Sequence, residues 1–163
     1  MNVAKPLFKR VDHCSITVAD LDAAITFYTD VMGGTLSYRM GPFDAAEIPP
    51  MEDGRDWSEA HVNVKDARIK LAKLQLTENL GLELLEYERP TDAGNTPPRN
   101  CDVGGHHICL EVEDIAATIA YLEQRGCRAM SGPITIEDGP CPPSKSWYIA
   151  DPFGNQLELV EYL

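Results

Sequence analysis

Two histidines and two glutamates of this chain stand at places related by an internal repeat, and imidazole with carboxylate is a donor set for a divalent metal. His13-Cys14-Ser15-Ile16-Thr17-Val18-Ala19-Asp20-Leu21 aligns, at an offset of 94 residues, with His107-Ile108-Cys109-Leu110-Glu111-Val112-Glu113-Asp114-Ile115. His, Val and Asp coincide, Leu21 meets Ile115, and the register runs on through Ala23 and Ala117, Ile25 and Ile119, Phe27 and Tyr121. At an offset of 75, Leu82-Glu83-Leu84-Leu85-Glu86-Tyr87 meets Leu157-Glu158-Leu159-Val160-Glu161-Tyr162 with five of six residues identical. Glu83 and Glu158 each lie between leucines, so they project away from an apolar face. A carboxylate inside such a strand is costly unless it is charge-paired or bound to a cation. Two histidines and two glutamates at matching places therefore predict a metal site of pseudo-twofold symmetry, with His13, Glu83, His107 and Glu158 as ligands. Zn, Ni, Co, Mn and Fe ions all suit these donors.

The elements that position them follow from periodicity. Val11 to Val18 and His106 to Val112 are short, β-branched and alternating, and read as strands. Strand alternation puts His13 with Ser15 and Thr17, on the face opposite Cys14, Ile16 and Val18. Asp20 and Asp114 stand where a helix N-cap belongs. Leu21, Ala24, Ile25 and Tyr28, and likewise Ile115, Thr118, Ile119 and Leu122, follow the spacing of an amphipathic helix. Gly33-Gly34 and Gly126 end those helices. Further strands are expected at Thr35 to Arg39, Ile69 to Leu76 and Leu82 to Tyr87, and at Arg128 to Ser131, Trp147 to Ala150 and Gln156 to Glu161. The common unit is βαβββ. Arg89 to Asn100, with Pro90, Pro97 and Pro98, separates the copies. This gives one domain over 1–163, with module one at about 8–90, a linker at about 91–103 and module two at about 104–163.

Because the offset falls from 94 to 75, the first copy carries 19 extra residues, placed between about Met40 and Val64. That insertion holds Trp57 and His61 and reads either as a lid or substrate-pocket wall or as a solvated surface loop. Lys73 and Gln75 are further candidates for the site face. His106 is expected to point away from it, Trp147 and Tyr148 to be core and rim, and Glu86 and Glu161 to be ordinary exposed strand-end residues.

With 163 residues, 44% hydrophobic and 25% charged, the chain has the composition of one ordinary globular domain. Its net charge of −12 and the lack of any Lys/Arg run argue against nucleic acid as a partner. No apolar stretch is long enough to span a bilayer, and Met1 to Pro6 leads into no apolar signal region, so a cytoplasmic protein with no membrane partner is expected. The five cysteines are odd in number and lack C-x-x-C spacing, which reads as reduced thiols rather than a disulfide framework or zinc knuckle.

At these residues the sequence resembles the vicinal oxygen chelate superfamily, which includes glyoxalase I, methylmalonyl-CoA epimerase, extradiol dioxygenases and the bleomycin and fosfomycin resistance proteins. The resemblance covers nearly the whole chain. It rests on Val11-Asp12-His13 with the following helix start, Leu82-Glu83-Leu84-Leu85, Gly105-His106-His107-Ile108 through Glu111-Val112, and Asp151-Pro152-Phe153-Gly154-Asn155-Gln156-Leu157-Glu158-Leu159. It implies an α+β fold of two tandem βαβββ modules forming a cupped, mostly antiparallel sheet with helices outside, a homodimer, and one divalent ion held by His13, Glu83, His107 and Glu158.

The members differ in how well they match. Extradiol dioxygenases hold Fe²⁺ with three ligands, and Glu83 stands as a fourth here. Bacterial glyoxalase I uses the same four-ligand set but anchors glutathione with Arg and Asn at the places held here by Thr17 and Tyr87. Methylmalonyl-CoA epimerase is matched best by the His106 to Val112 motif. The resemblance thus implies a metal-dependent enzyme that stabilises the enolate of a small chelated carbonyl substrate. Glu83 and Glu158 are its catalytic proton carriers, in an epimerase or isomerase. Alternatives are a glyoxalase I-like lyase, an Fe(II) dioxygenase of the extradiol type, or a metal-free ligand-sequestering resistance protein.

Overall fold

A computed structural model describes residues 8–94 and 96–163; the Met1 to Pro6 segment read above for a signal lies outside them. The chain forms two compact units, Met1–Ala93 and Gly94–Leu163, each with its own open, mixed sheet. The architecture is α+β.

In the first unit, β1 (Cys14–Thr17) leads into α1 (Leu21–Thr26), whose last part widens into a π turn over Phe27–Val31. Then come β2 (Thr35–Asp44), a 3₁₀ turn at Ala45–Glu47, α2 (Trp57–Val62), β3 (Arg68–Thr77) and β4 (Leu80–Arg89). The strand order is β1-β4-β3-β2, with β1 parallel to β4 and the others antiparallel. The second unit repeats the plan with β5 (Ile108–Glu111), α3 (Ile115–Glu123), β6 (Arg128–Ala129), β7 (Ile134–Ile136), β8 (Ser144–Ala150) and β9 (Gln156–Tyr162). Its order is β5-β9-β8-β6, β7 pairing with β8 beyond the path.

The repeat-related residues do the same local work. Asp20 Oδ1 accepts from Ala23 N–H and Asp114 Oδ1 from Ala117 N–H, both at 2.9 Å, capping α1 and α3. Leu21, Ala24 and Tyr28 are fully buried in the first unit, with Leu74, Leu82 and Leu84. Ile115, Ile119 and Leu122 are buried in the second, with Ile149, Leu157 and Leu159. Removing a leucine side chain from such a layer costs about 2–5 kcal/mol. The glycine pair ends α1 for a steric reason: Gly33 has φ +77°, and a Cβ on Gly34 would stand 2.8 Å from the Tyr28 carbonyl oxygen.

Several boundaries differ from expectation. The first strand of each unit begins one residue after its histidine, because the parallel ladder starts at Cys14 opposite Leu82 and at Ile108 opposite Leu157. β4 itself begins at Leu80, but its pairing with β1 covers only Leu82 to Leu85, so Val11 to His13 lie outside the ladder. β2 runs on past Arg39 to Asp44: a bulge between Met40 and Phe43 absorbs Gly41-Pro42, and β2 is an edge strand, where proline is tolerated. In the second unit, β6 is only two residues long and β7 is an additional strand.

Glu86 and Glu161 are not idle strand-end residues. Glu86 Oε2 accepts from Leu21 N–H and Glu161 Oε2 from Ile115 N–H, both at 2.8 Å, so each closes the start of its unit's helix. Lys70 and Lys145, 75 residues apart, bind the other oxygens at 3.1 and 2.7 Å. The Ile115 N–H and then Lys145 hold the Glu161 carboxyl below its ordinary range.

Candidate metal centre

Glu83 lies on β4 with its side chain opposite the buried Leu82 and Leu84, and Glu158 on β9 stands likewise opposite Leu157 and Leu159. In the first unit, His13 Nε2 is 3.6 Å from Glu83 Oε2; in the second, His107 Nε2 is 3.1 Å from Glu158 Oε2. Within each unit, then, one predicted histidine and one predicted glutamate stand as a pair. Neighbouring donors on one ion, at about 2.0–2.2 Å from it, lie roughly 3.0–3.5 Å apart; the His107–Glu158 pair falls inside that range and the His13–Glu83 pair just beyond it. Among the described residues no group of three or more His, Cys, Asp or Glu side chains gathers to hold an ion; each pair supplies two donors and requires others to complete a set.

The surroundings of the two glutamates differ. Ser146 Oγ donates to Glu158 Oε1 at 2.6 Å and Tyr148 Oη donates to Glu158 Oε2 at 3.2 Å. The Tyr148 hydroxyl also lies 3.5 Å from His107 Nε2, and the two rings meet edge-on at 5.1 Å. Burial first, and then the Glu158 charge, push the Tyr148 phenol up and raise the Cys109 thiol to about 11. Among the described residues neither a hydroxyl nor a backbone N–H reaches Glu83. In the first unit the support falls on the histidine: His13 Nδ1 is 2.9 Å from Asp12 Oδ2, which Lys73 Nζ meets at 3.0 Å. Those hydrogen bonds hold the Asp12 carboxyl down at about 2.

Glu83 opens onto a cavity of about 310 Å³ within the first unit. Leu85 and Tyr87 of β4 and Ile69 and Leu71 of β3 form its floor, and the insertion supplies Phe43, Ile48, Trp57, His61 and Val62 as wall. Trp57 and His61, one helical turn apart on α2, thus belong to a pocket wall rather than to a solvated loop. The wall is fixed at its base. Asp56 caps α2 by accepting from Glu59 N–H at 2.8 Å, and the fully buried Ser58 accepts from Ala67 N–H at 3.1 Å. Trp57 Nε1–H is buried without a hydrogen-bond partner among the described residues.

His106 keeps away from its neighbour's site, its Nδ1 facing Gly104 O at 3.2 Å. Tyr148, half-buried, and Ser146 both hydrogen-bond the Glu158 carboxylate. Both stand on β8, with Tyr148 directly across the ladder from Glu158, a relationship that parity along one strand does not reveal. All five cysteines are free thiols and none makes a disulfide.

The profile of the Glyoxalase/Bleomycin resistance protein/Dioxygenase superfamily matches residues 10–159. The chain belongs to this superfamily. Within it, a 2-epi-5-epi-valiolone epimerase from an Actinomyces species is 40% identical over 92% of this chain and 78% of its own length. The mitochondrial methylmalonyl-CoA epimerase of Mus musculus is 27% identical over 78% of this chain and 61% of its own. A lactoylglutathione lyase from Haemophilus influenzae is 29% identical over 91% of this chain and 90% of its own length. A crystal structure of a glyoxalase family protein from Bacillus cereus shares the fold, with a TM-score of 0.76 at 22% identity over 99% of both chains. These relatives are named as epimerases and a lyase, and this superfamily member is an enzyme.

Proposed function

We propose that the protein is a divalent-metal-dependent epimerase that inverts a stereocentre beside the carbonyl of a compact ketone, with one ion held by His13, Glu83, His107 and Glu158. When bound, the ion supplies Lewis acidity that lowers the pKa of the C–H next to a coordinated carbonyl. The chain's own residues do the rest. Glu83, bordering the cavity with no hydroxyl or amide donor of its own among the described residues, takes the proton at its carboxylate, and Glu158 serves as the second carboxylate that returns one. Phe43, Ile48 and Leu85 exclude water, and Trp57 adds an aromatic wall to the pocket.

The observation that carries this reading is the cavity beside Glu83. At about 310 Å³ it lies at the small end of the roughly 300–1,000 Å³ typical of ligand pockets. Among the described residues neither lysine nor arginine lines it, which favours an uncharged substrate over the phosphates of an acyl-CoA or the carboxylates of glutathione. The epimerase that is 40% identical acts, by its name, on a ketone. A lyase reaction is the second reading, favoured by the lactoylglutathione lyase match over 91% of the chain, while Thr17 and Tyr87 stand against it. We place the protein in the cytoplasm as a homodimer, without nucleic-acid or membrane partners. Pairing through β2 is supported by its place at the sheet edge and by exposed Leu36, Tyr38 and Met40. Among the described residues no helix is long and apolar enough to cross a membrane.

The test is solvent exchange in D₂O, with the protein loaded in turn with Zn²⁺, Ni²⁺, Co²⁺, Mn²⁺ and Fe²⁺. Deuterium entering 2-epi-5-epi-valiolone with inversion is the expected result, with no turnover of methylmalonyl-CoA. Turnover of the methylglyoxal–glutathione adduct would establish the lyase instead. Oxygen-dependent ring cleavage of a catechol, or ligand binding with no stoichiometric metal, would replace both.

A further inference from the structure

We propose that Asp12 and Lys73 form a positioning pair for His13, fixing the imidazole tautomer that leaves Nε2 free as a ligand. The inference rests on the metal-binding reading above and adds two residues that belong to none of its four ligands. Asp12 Oδ2 is 2.9 Å from His13 Nδ1. An ionised carboxylate can only accept, so Nδ1 carries the hydrogen and the lone pair of the neutral ring resides on Nε2, the atom that faces Glu83. A partner of this kind behind a ligating histidine sets both its tautomer and its ring orientation.

Asp12 by itself is a poor clamp, since its side chain is 62% exposed. Lys73 supplies the restraint. Its side chain is 13% exposed, it stands on β3 directly opposite Glu83, and its Nζ meets the same Asp12 oxygen at 3.0 Å. The meeting depends on Gly81: a Cβ there would lie 2.7 Å from the Asp12 carbonyl oxygen, 3.1 Å from Lys73 Cε and 3.5 Å from His13 Cβ. The missing side chain at position 81 thus leaves the space in which the three residues assemble.

The second unit lacks this device. The residue before its histidine is His106, which turns to Gly104 O, and the counterpart of Lys73 is Tyr148, which bonds the glutamate instead. The clamp on His13 is a property of the first copy alone.

Two measurements test it. In the metal-free protein, long-range ¹H–¹⁵N spectra of the imidazoles should show His13 protonated at Nδ1, and Asp12→Ala should release that preference. Competition with a chromophoric chelator for Zn²⁺ and Co²⁺ should show affinity falling about 10–100-fold in Asp12→Ala. Lys73→Met should give a smaller fall, Lys73→Arg should restore most of it, and His106→Ala should change nothing. Far-ultraviolet circular dichroism and thermal midpoints should stay constant across the set. An Nε2-protonated His13 in the wild type, or an Asp12→Ala protein that binds metal as tightly as wild type, overturns the clamp and leaves metal dependence standing. A wild-type protein that binds neither metal overturns both.

Discussion

Lys73 and Tyr148 occupy the same position in the two copies, each directly across an antiparallel ladder from the paired glutamate, yet they bond different partners. Lys73 reaches Asp12 and so backs a histidine; Tyr148 donates to Glu158 and so backs a carboxylate. The duplicated scaffold preserved the place and exchanged the task.

From this follows the expected behaviour of Glu158. Removing its two hydroxyl donors with Tyr148→Phe and Ser146→Ala leaves the carboxylate free to rotate, and hydrogen bonds to a charged group contribute about 1.5–3 kcal/mol each. Either substitution should weaken metal affinity or slow proton exchange by about 10–100-fold, with secondary structure intact. Exchange rates in D₂O and chelator competition measure this; wild-type values for both variants would remove these hydroxyls from the site.

Trp57 presents the opposite case, a buried donor with no acceptor. Trp57→Phe keeps an aromatic ring against Phe43, which meets the indole edge-on at 6.4 Å, and removes only the unmatched N–H and the second ring. Loss of an unsatisfied donor removes a penalty of about 1–3 kcal/mol, which offsets the lost packing. The variant should therefore melt within a few degrees of wild type while its KM for the ketone rises and kcat changes little. A large drop in thermal midpoint with an unchanged KM would make Trp57 a structural residue instead.

Acid sensitivity should concentrate on Asp44. This buried carboxylate binds Arg89 at 2.6 Å and Arg68 at 3.0 Å, and caps the following turn through Ala46 N–H at 2.9 Å. Arg89 first, then the Ala46 amide and Arg68, hold its carboxyl well below the usual range. A lowered folded-state pKa means that the stabilisation is complete above the unfolded value of about 3.9 and is lost as pH falls through the lower folded value. Asp44→Asn should accordingly melt lower than wild type by a constant margin from pH 7 to 5, with the margin shrinking below about pH 4. Calorimetry across that range decides it, and a margin that grows on acidification would reverse the sign.

Much of this was legible in the sequence, because duplication displays each structural role twice. Asp20 and Asp114 announced their helices, and the paired leucines around Glu83 and Glu158 announced which face was core. Strand ends were less legible, since a ladder stops where its partner stops: nothing in Val11-Asp12-His13 says that β4 begins pairing at Leu82. The helix α2 carried a signal that went unused, the Asp56-x-x-Glu59 pattern of a helix start. The bonds of Glu86, Glu161, Ser146 and Tyr148 were not legible because their partners are distant in sequence, and which hydroxyl or amide meets a carboxylate depends on the register between strands.

The attachment of α2 has an evolutionary consequence. Residues 40–64 belong to one copy only, rest on Asp56 and Ser58, and contribute half of the cavity lining but none of the four proposed ligands. Selection can therefore rewrite this cassette to reshape the cavity while the ladders that carry the two histidine–glutamate pairs stay as they are, a division that lets one ancestral scaffold diversify without being reinvented.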